Sequence, residues 1–281
     1  MPQPLVDAPS FALAEGWGWY LYGITRRTRP GLAALGVGPG LDGGKPVQAL
    51  AYREVAAVVS PVRLAELGPE AVRAHLQDMA WLEAMVRGHE RVAELVQQDH
   101  GILPARFGCV YGRADEVIAA LERTYDTLAE QLDRLHGCDE WGVHAYADRA
   151  IVERRVADEA PAVRQFKEEL AAARPGRAYF LQHKLADLLA AATEQALSDL
   201  AQACYDHLSR LAVASQVGPR AGTVRVQAEI LRAAFLVSRP QVKVFIEEVR
   251  FFAEAHAGLR CQYSGPWPPY SFARIEEGGN R

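Results

Sequence analysis

The segment HERVAELVQQDH, residues 89–100, opens as the zinc-binding helix of a metalloprotease opens, with a histidine followed by a glutamate. That chemistry needs a second histidine four residues after the first, one helical turn on, so that both imidazoles meet one metal ion. Position 93 is alanine, so His89 is expected to be an ordinary, half-exposed helix residue. A glycine cluster, Gly36–Gly44, followed by Lys45, invites a phosphate-binding reading. A phosphate loop needs a glycine where this chain has Pro39, and a Ser or Thr where it has Pro46. It also needs a helix N-terminus behind it, and the residues that follow read as a strand. The cluster is expected to be a plain loop. His136, His144, His183, His207 and His256 are scattered without a spaced partner. No Gly-x-Ser-x-Gly elbow occurs, and no Cys or Ser stands beside a base in sequence. Cys109, Cys138, Cys204 and Cys261 show no ligand spacing and read as reduced, mostly buried thiols of a cytosolic protein. No catalytic, metal-binding or cofactor-binding residue is assigned, and the chain reads as a non-enzyme.

Four residues stand out for other reasons. Arg106 is the one charge within the apolar run ILPARFGCVYG, residues 102–112. A buried arginine is costly unless paired, so Arg106 is expected to be buried against a carboxylate, across a domain boundary. Trp267, Tyr270 and Phe272 lie in GPWPPYSF, where Pro266, Pro268 and Pro269 fix φ and remove donors. A stiff, extended arm is expected there, leaving its strand at Gly265 and packing back on its own protein. Trp267 and Phe272 should then be buried, with the Tyr270 hydroxyl near a polar partner or water. The competing reading is an exposed docking peptide.

The elements that must position these residues follow from periodicity. WGWYLYGI (17–24) is aromatic and β-branched and predicts a buried strand; residues 47–62 predict two strands turning near Arg53-Glu54. From Pro69 to His100 apolar residues recur at three and four, a helix with a kink or break at Gly88. Residues 102–112 are extended again, and 115–136 form an amphipathic helix closed by Gly137. In the second half, 140–148 predict a strand, followed by two helical segments parted around ARPGR, 173–177. The second of these, about 178–214, is the longest element; its first leucines (Leu181, Leu185, Leu188, Leu189) are expected on the sheet, with the rest projecting. Two strands (TVRVQAEI and RAAFLVS), a helix begun at Ser238-Pro240 and a last strand 259–265 complete the order β, α, β, β, α, β. That is the order of a ferredoxin-like sandwich with an enlarged first crossover. The fold class is therefore α+β in two domains: a disordered leader 1–16, an α+β domain 17–138, a ferredoxin-like domain 139–272 and a polar tail 273–281.

A length of 281 residues suits two domains, and 49% hydrophobic with 23% charged residues is globular. The net charge of −4 argues against nucleic acid and against an anionic membrane as main partner. No apolar run is long enough to span a bilayer.

YLYGI (20–24), GILPARFGCVY (101–111), GRAYFLQHKL (176–185) and YSGPWPPYSF (263–272) together resemble the signature segments of the gas vesicle protein F/L family, in the right order. The glycine-rich loop is longer than that pattern needs, and Cys109 stands where a small hydroxyl residue is usual. The resemblance implies a non-enzymatic accessory or minor structural protein of gas vesicles, in the cytoplasm, binding the main shell protein and other accessory proteins. It also implies a ferredoxin-like C-terminal domain. The alternative is a small-molecule enzyme on a ferredoxin-like sheet, since that sandwich hosts many functions.

Overall fold

The structure, a computed structural model, describes residues 13–27, 38–41, 45–219 and 227–273. Most of the expected leader, most of the glycine-rich loop and the polar tail beyond 273 lie outside the described residues. By contact density the chain divides into two compact units, Met1–Gly137 with Trp267–Arg281, and Cys138–Pro266.

The first unit is built on an antiparallel sheet of five strands: β1 (Trp17–Arg26), β2 (Gln48–Tyr52), β3 (Val55–Arg63), β4 (Leu103–Pro104) and β5 (Val110–Tyr111). The order is β2-β3-β1-β4, with β5 also pairing β1. β1 is the expected strand, and β2 and β3 turn at Arg53-Glu54 as the sequence predicts. Both faces of β1 and β3 are buried, which is why their sequences are near-continuous apolar runs. Two short helices, α1 (Leu64–Leu67) and α2 (Pro69–His75), lead to α3 (Met79–Asp99). Asp78 caps α3 by accepting from the Trp81 amide at 3.0 Å. The break in this helical region therefore falls at residues 76–78, and α3 runs unbroken through Gly88. Glycine lets α3 approach Leu41 closely there: a Cβ would stand 3.0 Å from the Leu41 carbonyl. Val92, Ala93 and Val96 of α3 pack on Tyr20, Tyr22, Val58 and Val62. The single helix expected over 115–136 is two, α4 (Ala114–Arg123) and α5 (Tyr125–Leu135), meeting at Thr124. Both pack on the sheet without joining the α3 cluster, so they take its other face.

The second unit runs β6 (Cys138–Asp148), α6 (Arg149–Glu159), α7 (Pro161–Ala171), α8 (Pro175–Ser209), β7 (Ala214–Val217), β8 (Gln227–Ser238), α9 (Val242–Glu254) and β9 (Leu259–Trp267). The sheet order is β7-β8-β6-β9, and β8 pairs antiparallel with both β6 and β7. Pro161 stands at the first position of α7, where its missing N–H costs nothing, and so separates α6 from α7. Of the expected pair of strands after the long helix, TVRVQAEI lies outside the described residues over 223–226, and its remainder runs on into RAAFLVS. β7 lies at 214–217, in residues read as a loop, and β8 is one long strand.

The long helix is also reversed relative to expectation. Leu197, Leu200, Cys204 and Leu208, in its C-terminal half, join Trp141, Val143, Phe235 and Phe245 in the core on the sheet. Leu185, Leu188 and Leu189 lie at the margin of that core. The N-terminal part of α8 instead pairs with α7, joined by three residues, an antiparallel hairpin.

Candidate functional site

Tyr20 and Tyr22, two residues apart on β1, present their rings on the α3 face, 5.0 Å apart. His89 of α3 meets them. It is 3% exposed, not half-exposed, because it sits on the same helical stripe as Val92 and Val96. The Tyr20 hydroxyl accepts from the Gly108 amide at 3.1 Å and lies 3.0 Å from His89 Nδ1. The phenol and Nδ1 share one hydrogen, and the imidazole tautomer sets which of the two donates. Nε2 is buried without a hydrogen-bond partner. Tyr22 reaches the Ser60 hydroxyl at 2.8 Å and accepts from the Leu41 amide at 2.7 Å. Desolvation moves both titratable groups the way burial must. It pushes the Tyr20 phenol well above its usual value, and it lowers His89 to about 4, with the Ala105 carbonyl acting weakly the other way. The Tyr20 phenol and the His89 imidazole are therefore uncharged at neutral pH.

Phe107 and Tyr270 close this cluster, their ring centroids 6.2 and 6.3 Å from that of His89. Tyr270 belongs to the C-terminal arm, which clusters with the first unit. β9 continues past Gly265 to Trp267, and the arm then turns rather than extends. The Tyr270 amide bonds the Pro268 carbonyl at 2.7 Å, and the Phe272 and Ala273 amides bond the Pro269 carbonyl at 3.1 and 2.8 Å. Pro268 and Pro269 are buried, Phe272 is 8% exposed, and Arg134 Nη2 donates to the Phe272 carbonyl at 2.9 Å. Trp267 and Tyr270 are 38% and 37% exposed. The expectation thus holds for Phe272 and fails for Trp267, whose ring lies at the end of the strand, outside the turn. Arg106 is exposed and makes no ion pair among the described residues. The β4 pairing ends at Pro104, and Arg106 follows it beyond the sheet, so its side chain is free to reach solvent.

In the second unit the sheet face away from α8 and α9 carries a smaller polar group. Glu229 of β8, buried, takes His144 Nδ1 at 2.9 Å and the Arg232 guanidinium at 3.0 Å. His144, Tyr146, Gln262 and Ser264 line a shallow hollow of about 580 Å³ beside it. On the opposite side, Cys204 of α8 and Cys261 of β9 share a hydrogen bond, which raises the Cys204 thiol and lowers that of Cys261. Among the described residues no cluster of His, Cys, Asp and Glu could hold a metal ion, and no helix is long and apolar enough to cross a membrane.

Sequence reasoning named the arm and missed the His89 cluster. The signal was present: Tyr20 and Tyr22 share a strand face, and His89 stands at helical spacing from Val92 and Val96.

Residues 18–274 match the family model described as gas vesicle synthesis protein GvpL/GvpF. The chain is 31% identical over 262 residues to gas vesicle protein L of Streptomyces sp. (strain CB03234), covering 92% of this chain and 93% of that protein. It is 30% identical to gas vesicle protein F of the same strain, covering 90% and 98%. The fold is similar to the crystal structure of the gas vesicle protein GvpF from Anabaena sp. PCC7120 (TM-score 0.70, 22% identity, 92% of this chain and 99% of that one). It is also similar to that of GvpF from Microcystis aeruginosa (TM-score 0.62, 20% identity, 92% and 99%).

Proposed function

The chain belongs to the gas vesicle synthesis protein GvpL/GvpF family, and on that premise we propose that it is a non-enzymatic accessory or minor structural protein of gas vesicles. In this reading it binds the main shell protein and other accessory proteins in the cytoplasm and supports assembly of the vesicle. The family match across residues 18–274 carries the reading, because it spans both units rather than one module. The physical need is clear: a shell subunit with an apolar gas-facing surface aggregates unless that surface or its strand edge is covered before assembly.

The two units are read as two domains, the second ferredoxin-like; the antiparallel order β7-β8-β6-β9, with helical crossovers after β6 and β8, supports this. Arg106, Trp267 and Tyr270 are the partner-contact candidates. All three are exposed and lie on segments bordering the His89 cluster, with Phe272 as their buried anchor.

The test is capture of purified shell protein by this chain and by its Trp267→Ala/Tyr270→Ala variant. The expected result is capture by the unaltered chain and loss in the variant, with the folded secondary structure retained by circular dichroism. Capture by the variant at the unaltered level would remove the arm from the interface; no capture by the unaltered chain would overturn the shell-binding role.

A further inference from the structure

Two thiols meet inside the second unit. Cys204 of α8 is fully buried, in the core cluster with Leu200, Leu208 and Phe235. Cys261 stands on β9, which ends the sheet, and is half-buried against the same core. Along β9 the partly buried Cys261 and Tyr263 alternate with exposed Arg260, Gln262 and Ser264, so the strand's period of two turns Cys261 inward. There the Cys204 S–H donates to the Cys261 sulfur. That hydrogen bond, with burial adding to it, raises the Cys204 thiol, and it lowers the Cys261 thiol against the effect of burial. A single buried cysteine behaves as a small apolar residue. A pair in hydrogen-bond contact, one member reachable from solvent and the other not, is a dithiol whose two roles are already divided.

We propose that Cys204 and Cys261 form a redox-modification site, a dithiol that a hydroperoxide converts into an intrachain disulfide. The proposal does not depend on the shell-binding reading. Cys261 is the attacking thiol, because solvent reaches it and the Cys204 S–H steadies its thiolate. Its sulfur attacks one peroxide oxygen. An S–O bond forms and the O–O bond breaks, and the departing hydroxide leaves as water with the proton the thiol has given up, so Cys261 becomes a sulfenic acid. Cys204, in contact with that sulfur, then resolves it. Its S–H proton passes to the sulfenic oxygen, the S–S bond forms, the S–O bond breaks and a second water leaves. Two thiols and one hydrogen peroxide thus become one disulfide and two waters; the sulfur pair loses two electrons and the peroxide gains them. A dithiol reductant reverses the change by exchange. Because Cys204 is 0% exposed, a thiol of another chain does not reach it, and the bond stays within the chain. It fastens β9 to α8 and closes β7, β8 and α9 into a covalent loop.

The experiment treats the full chain, reduced and then freed of reductant, with hydrogen peroxide in small molar excess, and maps it by mass spectrometry without reduction. The expected result is a peptide pair joined through Cys204 and Cys261, with two of the chain's four thiols lost and both recovered in dithiothreitol. In Cys204→Ala the reaction should stop at a sulfenic acid on Cys261 that dimedone traps, and Cys261→Ala should leave Cys204 unmodified. The map of the unaltered chain stands whether or not either variant folds well. Four thiols intact in peroxide would overturn the proposal. So would Cys261 carried on to sulfinic acid beside a free Cys204, a disulfide between two chains, or Cys109 or Cys138 oxidised ahead of the pair.

Discussion

His89 makes the stability of the first unit depend on acid. Its folded-state value is lowered from 6.5 to about 4, so the folded chain binds this proton later than the unfolded chain. The contribution is therefore fully present above pH 6.5 and is lost as pH falls towards 4. The loss is on the order of 3 kcal/mol, from about 1.4 kcal/mol for each pH unit. Urea unfolding at a series of pH values should show that decline, and His89→Gln should flatten it between 4 and 6.5. A second residue-scale expectation concerns the thiols. Cys261 is half-buried with a lowered value and Cys204 is buried with a raised one, so iodoacetamide should label Cys261 first; mass spectrometry that finds Cys204 labelled earlier would contradict the shared hydrogen bond. Arg106→Ala should change stability by less than about 0.5 kcal/mol, the usual surface value, since no buried partner is orphaned. Why the residue scale was only partly legible is visible in these side chains. His89 lies between Arg87 and Glu90, and local polarity suggested exposure; its burial depends on the Tyr20 phenol, 69 residues away. Arg106 sits in an apolar run, yet each of its buried neighbours is buried by its own contacts.

At the scale of elements, packing decides what periodicity leaves open. Leucines recur along all of α8, so the sequence marks a buried stripe without saying which half meets the sheet and which meets α7. Truncation tests the assignment. Leu208→Ala, in the core, should cost about 2–5 kcal/mol, and Leu189→Ala, at its margin, clearly less, both by denaturant unfolding. The arm follows the same logic. Phe272→Ala should cost about 3–5 kcal/mol, whereas Trp267→Ala should cost less, because Trp267 is 38% exposed and Phe272 only 8%. β1, β2, β3, β6 and α9 were legible because their buried faces impose periods of two or 3.6 over several residues. β7 was not: Ser215 and Gln216 are polar, on a four-residue edge strand, and pairing with β8 rather than composition makes them a strand. The Thr124 junction was hidden for a related reason, since α4 and α5 present one continuous apolar pattern on either side of it.

The whole molecule is two units, of which the first is assembled from both sides of the second in sequence. Removing everything after Gly265 should therefore weaken the first unit although the cut lies at the end of the second. Hydrogen exchange should show lost protection around Tyr20, His89 and Arg134, with β6 and β8 unaffected; a uniform loss across both units would contradict the division. The same layout bears on biosynthesis. A nascent chain emerges from its N-terminal side, so β1 and α3 are available to collapse long before the segment that closes them. Arg134 waits for Phe272, 138 residues further along, and in the interval Tyr20 and His89 face whatever surrounds the ribosome. The unit begun first is finished last, and translation itself sets a period during which this cluster is open to other partners.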